Sequence, residues 1–411
     1  MKGPSVAAVT GLALAACGGS ESSTGLGSRG SGLRTLGPAV HYSTNGIRVG
    51  KTVIGDLNGD GRNDIAVIAS SGYGQVILVY YQNSSGTLEP PLVITTDVGL
   101  RGIAIGDVNG DGKADLVVSG LAVAANSGWL SRIVVLLQDP TTGQLLPGRE
   151  TPVSANNVGD LAIGDLNSDG RNDIAVLAEW TSVSGMGNLC LFYQNSDGTL
   201  QPEVIYNKVP VMYTGEIHIA DLNGDGRNDV VLQTNLLVLG VITQTATGTL
   251  SDTPVSYDVQ TSYWPNFSAF AVGDVNGDGR PDIAVIDPGN NGYLNVFLQG
   301  SGGTLTRVLA DTIGPPYGIE IADIDGDGLN DILGDFTFPS VPTSLGAVEV
   351  FYQTRDHRFG SSTVYEFPTT SGGGSAEHQS LAVGDVTGDG KPDAVMTWAD
   401  EGLWVLPSVP K

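Results

Sequence analysis

The sequence predicts an all-β chain, a closed ring of seven four-stranded antiparallel blades (a seven-bladed β-propeller), on three observations. The acidic stretch GDLNGDGRND at 55–64 recurs seven times, with first aspartates at Asp56, Asp107, Asp165, Asp221, Asp274, Asp323 and Asp385. Their spacings of 51, 58, 56, 53, 49 and 62 residues mark one supersecondary unit stacked repeatedly. Short runs rich in β-branched residues flank each stretch, and a turn signal beginning with Gln follows most of them, as strand–loop–strand and hairpin units require.

Composition agrees with this class. The 411 residues include 59 glycines and only 15% charged side chains, and no heptad pattern appears, so helix is expected to be almost absent. Half of the 44 acidic residues lie in the seven loops, so the net charge of -25 is mostly local charge awaiting a cation. Binding to bare nucleic acid is excluded as an expectation, because phosphate contact needs clustered Lys and Arg. The two cysteines, Cys17 and Cys190, make no disulfide framework, and Cys190 in the apolar run NLCLFY reads as a buried free thiol.

Taken in order, residues 1–16 have one basic residue, Lys2, and then a mostly apolar stretch from Val6 to Ala16, the layout of an export signal and too short for a membrane span. Leu14-Ala15-Ala16-Cys17 resembles the lipobox of bacterial lipoproteins, which implies cleavage before Cys17 and its acylation. The Gly/Ser-rich residues 17–37 then read as a flexible tether. Gly18 is not the acidic residue that retains such proteins at the inner membrane, so an outer-membrane or cell-surface location is expected, with membrane contact through the lipid alone.

The propeller is expected over residues 38–411. In the first repeat, KTVIGD at 51–56, DIAVIA at 64–69, Gln75 to Tyr81 and Leu92 to Thr96 read as four strands, with the acidic loop joining the first two. Hairpin signals recur as QNSSGTL at 82, QDPTTGQL at 138, QNSDGTL at 194, QTATGTL at 244, QGSGGTL at 299 and the divergent QTRDHRF at 353. The last repeat supplies only three strands, and PAVHYST at 38–44 resembles the fourth strand of the others. It is therefore expected to complete the seventh blade and close the ring.

Each loop offers oxygen ligands at positions one, three, five and nine, a backbone carbonyl at seven, and a glycine at six that permits convergence, the donor set of a hard cation such as calcium. The candidate ligands are Asp56, Asn58, Asp60, Arg62 and Asp64; Asp107, Asn109, Asp111, Lys113 and Asp115; Asp165, Asn167, Asp169, Arg171 and Asp173; and Asp221, Asn223, Asp225, Arg227 and Asp229. The last three loops offer Asp274, Asn276, Asp278, Arg280 and Asp282; Asp323, Asp325, Asp327, Leu329 and Asp331; and Asp385, Thr387, Asp389, Lys391 and Asp393. Up to seven Ca2+ ions are expected, most strongly in the sixth loop, which has Asp325 at position three, and most weakly in the seventh, which has Thr387. The loop is no EF-hand, since position twelve is apolar (Val67 in the first copy) and the flanks are strands.

These units resemble the FG-GAP and VCBS repeats of integrin α-subunit propellers and bacterial surface proteins. The resemblance covers about residues 38–411 and implies calcium ligation by the Asp and Asn positions just named.

Partner recognition is expected on the face opposite the acidic loops, where long connections at 120–131, 179–187 and 335–346 and the aromatics Trp129, Trp180, Tyr263, Trp264, Phe267 and Tyr317 suit a glycan or protein ligand. Lys51, Asp160, Glu216, His218 and Glu320 share one alternation face of the first strands and are expected to converge at the channel mouth. The expected function is therefore a calcium-binding surface module for binding or adhesion, as a monomeric propeller. The alternatives are a polysaccharide lyase-like enzyme using the channel mouth, or a structural component of a surface complex.

Overall fold

A computed structural model describes residues 34–44, 47–71, 74–123, 129–179, 186–212, 215–235, 238–259, 269–287, 293–312, 318–337, 345–356, 358–359, 362–368, 380–398 and 401–411. Every regular element among them is a strand. Seven four-stranded antiparallel sheets form the blades. Blade one comprises Arg48–Gly55, Asp64–Ser71, Gly74–Tyr80 and Leu92–Thr95. The innermost strands of the others are Val98–Gly106, Asn157–Gly164, Ile217–Ala220, Ala269–Gly273, Ile319–Ala322 and Leu381–Gly384. Each of these strands touches the next, and the last touches the first.

The ring is held by apolar burial between blades. Among the described residues seven apolar clusters form, one for each seam; blades seven and one, for example, share Ile54, Ile65, Val67, Ala382, Val395 and Leu403. Central strands are therefore buried on both faces, as in Ile65, Ala66 and Val67, whereas outer strands leave Val40, Leu92, Val93, Val255 and Val308 exposed. The glycine before a first aspartate allows close approach. A Cβ on Gly384 would lie 2.8 Å from Ile54 Cγ2 across the closing seam, far inside van der Waals contact.

Closure follows the sequence expectation. Val40–Ser43 pairs antiparallel with Gly402–Leu406 as the fourth strand of blade seven. His41 stacks on Trp404 with ring centroids 4.2 Å apart, and its Nε2 lies 3.0 Å from the Glu401 carbonyl oxygen.

Two boundaries differ from expectation. Arg34–Leu36, placed by composition in the tether, pairs with Ser408–Pro410, and Leu36 is buried in the seam between blades six and seven. The folded domain thus begins before residue 38, because backbone pairing and one buried leucine outweigh the flexible composition of the segment. The connections read as long loops at 120–131, 179–187 and 335–346 are also shorter: strands reach Val123, Glu179 and Thr337 and resume at Trp129, Met186 and Leu345. The expected signal, Cys17 and most of the tether lie outside the described residues. Cys190 is a fully buried free thiol, and burial pushes its pKa well up.

Candidate metal-binding loops and the channel mouth

Each acidic loop folds through its own side chains. In loop one, Asp56 Oδ1 accepts the Gly59 N–H at 2.6 Å and Asp56 Oδ2 the Gly61 N–H at 2.9 Å. Asn58 Oδ1 accepts the Asp60 N–H, and Asp60 Oδ1 the Arg62 N–H, both at 2.9 Å. Gly59 and Gly61 have φ of 74° and 81°, a left-handed conformation open to glycine at little cost. The same pattern recurs around Asp107, Asp221 and Asp274, and around Asp165 with Ser168, at φ of 60°, in place of the first glycine. These bonds wrap the backbone of the loop around the side chains at positions one, three and five.

Position nine is different in kind. Asp64 is fully buried; its Oδ2 accepts the Leu57 N–H at 3.0 Å and its Oδ1 the Gln82 N–H at 2.8 Å. Asp115, Asp173, Asp229, Asp282, Asp331 and Asp393 repeat both bonds. This aspartate therefore ties the loop to the hairpin of its own blade. Burial, helped by the charges of Asp60 and Asp56, pushes the Asp64 pKa up to about 7 against the two backbone bonds. A carboxylate held in this way is electrostatically short of a cation.

The donor set fits a hard divalent ion: carboxylates, a side-chain amide and backbone carbonyls, with no sulfur or imidazole. In the sixth loop, Asp323, Asp325 and Asp327 each bring a carboxylate oxygen within 4.8 Å of the others. Position seven has a second use. The Nε groups of Arg62, Arg171, Arg227 and Arg280 donate to the carbonyls of Gln82, Gln194, Gln244 and Gln299, while each guanidinium pairs with the position-five aspartate.

Sequence reading missed the residue that links one loop to the next blade. Gln138 Nε2 donates to the carbonyl of Asp56, the first position of the preceding loop, at 3.0 Å. Gln82, Gln244 and Gln299 reach Asp385, Asp165 and Asp221 in the same way. Asn172, Asn228 and Asn330 at position eight bond the carbonyls of Asp107, Asp165 and Asp274. At the seam of blades six and seven, Ser408 stands in for the glutamine and its Oγ donates to the Ile324 carbonyl. All seven seams carry such a bond. The signal was present in the sequence as a Gln opening each hairpin motif, but it read only as turn chemistry.

At the other end of the first strands the expected convergence occurs. Lys51, Asp160, Glu216, His218 and Glu320 line one cavity of about 50 Å³ with Phe270, Ile319 and Leu381. Bulges between Val49 and Thr52 and between Val158 and Leu161 lie at Lys51 and Asp160, the local device that re-aims a strand side chain. Those two form an ion pair. Burial, then the Glu216 charge, pushes the Glu320 pKa up to about 8 against the pull of Lys51. The side chain of Trp129 and all of Trp180, Tyr263, Trp264, Phe267 and Tyr317 lie outside the described residues, so the expected aromatic recognition face is not part of this geometry.

A closed ring of acidic strand–loop–strand units defines the class as a repeat β-propeller. Residues 56–118, 165–232 and 274–334 match the FG-GAP-like repeat family. A 112-residue stretch is 35% identical to integrin alpha-IIb of Mus musculus, over 23% of this chain and 10% of the integrin, so the chain spans about a tenth of that relative. A chain of the Photorhabdus luminescens Tc holotoxin pore aligns with 83% of this chain and 18% of its own length, at 16% identity and a TM-score of 0.37. The protein is a seven-bladed β-propeller that carries FG-GAP-like repeats.

Proposed function

We propose that the protein is a calcium-stapled propeller that serves as a binding or adhesion module for a glycan or protein ligand, held on a bacterial surface through an acylated Cys17. The observation that carries the metal reading is the convergence of Asp323, Asp325 and Asp327 oxygens within 4.8 Å, an arrangement whose mutual repulsion a bound cation would relieve. Similarity of one stretch to an integrin α-chain supports the adhesion reading. The calcium would hold each loop in register with its own hairpin through position nine and with the next blade through the Gln and Asn bonds. Ligand recognition would then depend on calcium through the rigidity of the ring rather than by direct contact.

An array of glycans and envelope proteins probed with the full chain, with calcium and with chelator, tests this. The expected result is a small set of calcium-dependent binders without turnover. Release of unsaturated sugar products would overturn it in favour of a lyase.

A further inference from the structure

The channel mouth holds an unmatched acceptor. Glu216 is 8% exposed, its Oε2 accepts the Phe270 N–H at 2.9 Å, and its buried Oε1 has no hydrogen-bond partner among the described residues. A buried carboxylate oxygen without a donor costs at least about 1–3 kcal/mol, so such a group is retained where something supplies the donor. Glu320 shares the same cavity. The nearby Lys51 pairs with Asp160 and also acts on Glu320, and leaves Glu216 Oε1 without a donor. His218 packs on Phe270 with centroids 4.7 Å apart, and its Nε2 is 4.0 Å from Glu216 Oε2, beyond hydrogen-bond reach.

The ligand class follows from size and chemistry. A cavity of about 50 Å³ has room for a small polar head group. The remaining demand is for a small cationic donor, and the walls Phe270, Ile319 and Leu381 are apolar. We propose that the channel mouth binds the primary ammonium group of an organic amine, its N–H donors on Glu216 and Glu320 and its alkyl stem along Phe270, Ile319 and Leu381. An ammonium offers three donors and makes charge-assisted bonds, and the aromatic wall adds to its hold. The amine is either a free small molecule or the end of a lysine side chain; in the second case the site deepens the binding-module reading by naming what a protein ligand presents.

Calorimetric titration of the full chain in saturating calcium at about pH 9, where Glu320 is ionised and an alkylammonium is still charged, tests the site with n-butylammonium, Nα-acetyl-lysine amide and tetramethylammonium. Saturable millimolar binding of n-butylammonium is expected, with tetramethylammonium weaker because it has no N–H. Glu216→Gln and Glu320→Gln should each weaken it about tenfold, the loss of one charge-assisted bond. Binding of both amines shows that a lysine side chain is accepted, and binding of n-butylammonium alone assigns the site to free amines. Melting curves identify any variant that fails to fold, and the other variant then decides. Absence of binding by n-butylammonium, equal binding of tetramethylammonium, or unchanged affinity in a folded variant overturns the proposal. Calcium-dependent melting that persists in that event leaves the metal-loop reading standing.

Discussion

The side-chain amide of Gln138 in blade two donates to the backbone carbonyl of Asp56 in the acidic loop of blade one, 3.0 Å away and across the seam between them. Gln138 is 1% exposed, and the same nitrogen also reaches the Ala114 carbonyl at 3.2 Å. One side chain therefore joins the start of one loop to the end of another. Gln138→Ala should destabilise the protein by about 1–3 kcal/mol, since two carbonyls lose their donor in a dry site. Chemical denaturation in calcium measures this. The same variant should also bind calcium more weakly, because the Asp56 backbone loses its anchor.

The glycine of the hairpin is a second contact across the same seam. Gly143 has φ of 70°, and a Cβ there would overlap the carbonyl oxygen of Asn58 in the preceding loop. Gly143→Ala therefore meets both backbone strain and a clash, and a loss of at least about 2 kcal/mol is expected. Gly61→Ala is the informative comparison. Its φ is 81°, but nothing lies within 4 Å of the added carbon. It should show strain alone and lose less in the same denaturation experiment.

The channel mouth predicts a pH dependence. The groups facing Glu320 are Lys51, Asp160, Glu216 and His218. Its pKa is raised from 4.5 to about 8, so the folded chain holds this proton more tightly than the unfolded chain. Its contribution to stability is therefore unimpaired below about pH 4.5, declines as the pH rises, and is lost above about pH 8. Glu320→Gln should melt a few degrees above the parent at pH 8 and with it at about pH 4. Thermal melts of both chains at the two pH values, compared as differences, check this.

Ring closure rests on segments far apart in sequence. Arg34 donates its backbone N–H to the Asp325 carbonyl at 2.8 Å, and its guanidinium pairs with Asp389, so the N-terminal strand touches the sixth and seventh acidic loops. Removing residues 34–44 would delete this clasp and the fourth strand of blade seven, leaving Gly402–Leu406 as an open edge. The melting temperature should fall sharply, and self-association through the free edge should appear in sedimentation.

How much of this was legible follows from the range of each interaction. The seven loops, the blade strands and the closing strand at Val40–Ser43 all announce themselves locally, through short motifs that repeat seven times. The clasp does not. Arg34–Leu36 sits in a Gly/Ser-rich stretch, and its partners are Ser408–Pro410 at the other end of the chain, so no neighbouring residue signals a strand. The channel cluster was legible because strand alternation puts Glu216, His218 and Glu320 on one face, although the bulges that aim Lys51 and Asp160 leave no clear mark in sequence. Gln138 and its counterparts were visible as a repeated letter, but their role depends on the neighbouring blade, which no single repeat contains.

The central claim is that calcium in the acidic loops staples the ring, and the most direct test is the melting temperature of the full chain measured against free calcium. At an ion concentration about tenfold above its dissociation constant, each occupied loop should add about 1.4 kcal/mol, so the transition should climb as calcium is raised and fall back when it is chelated. A melting curve unmoved by chelation or by added calcium would contradict the account.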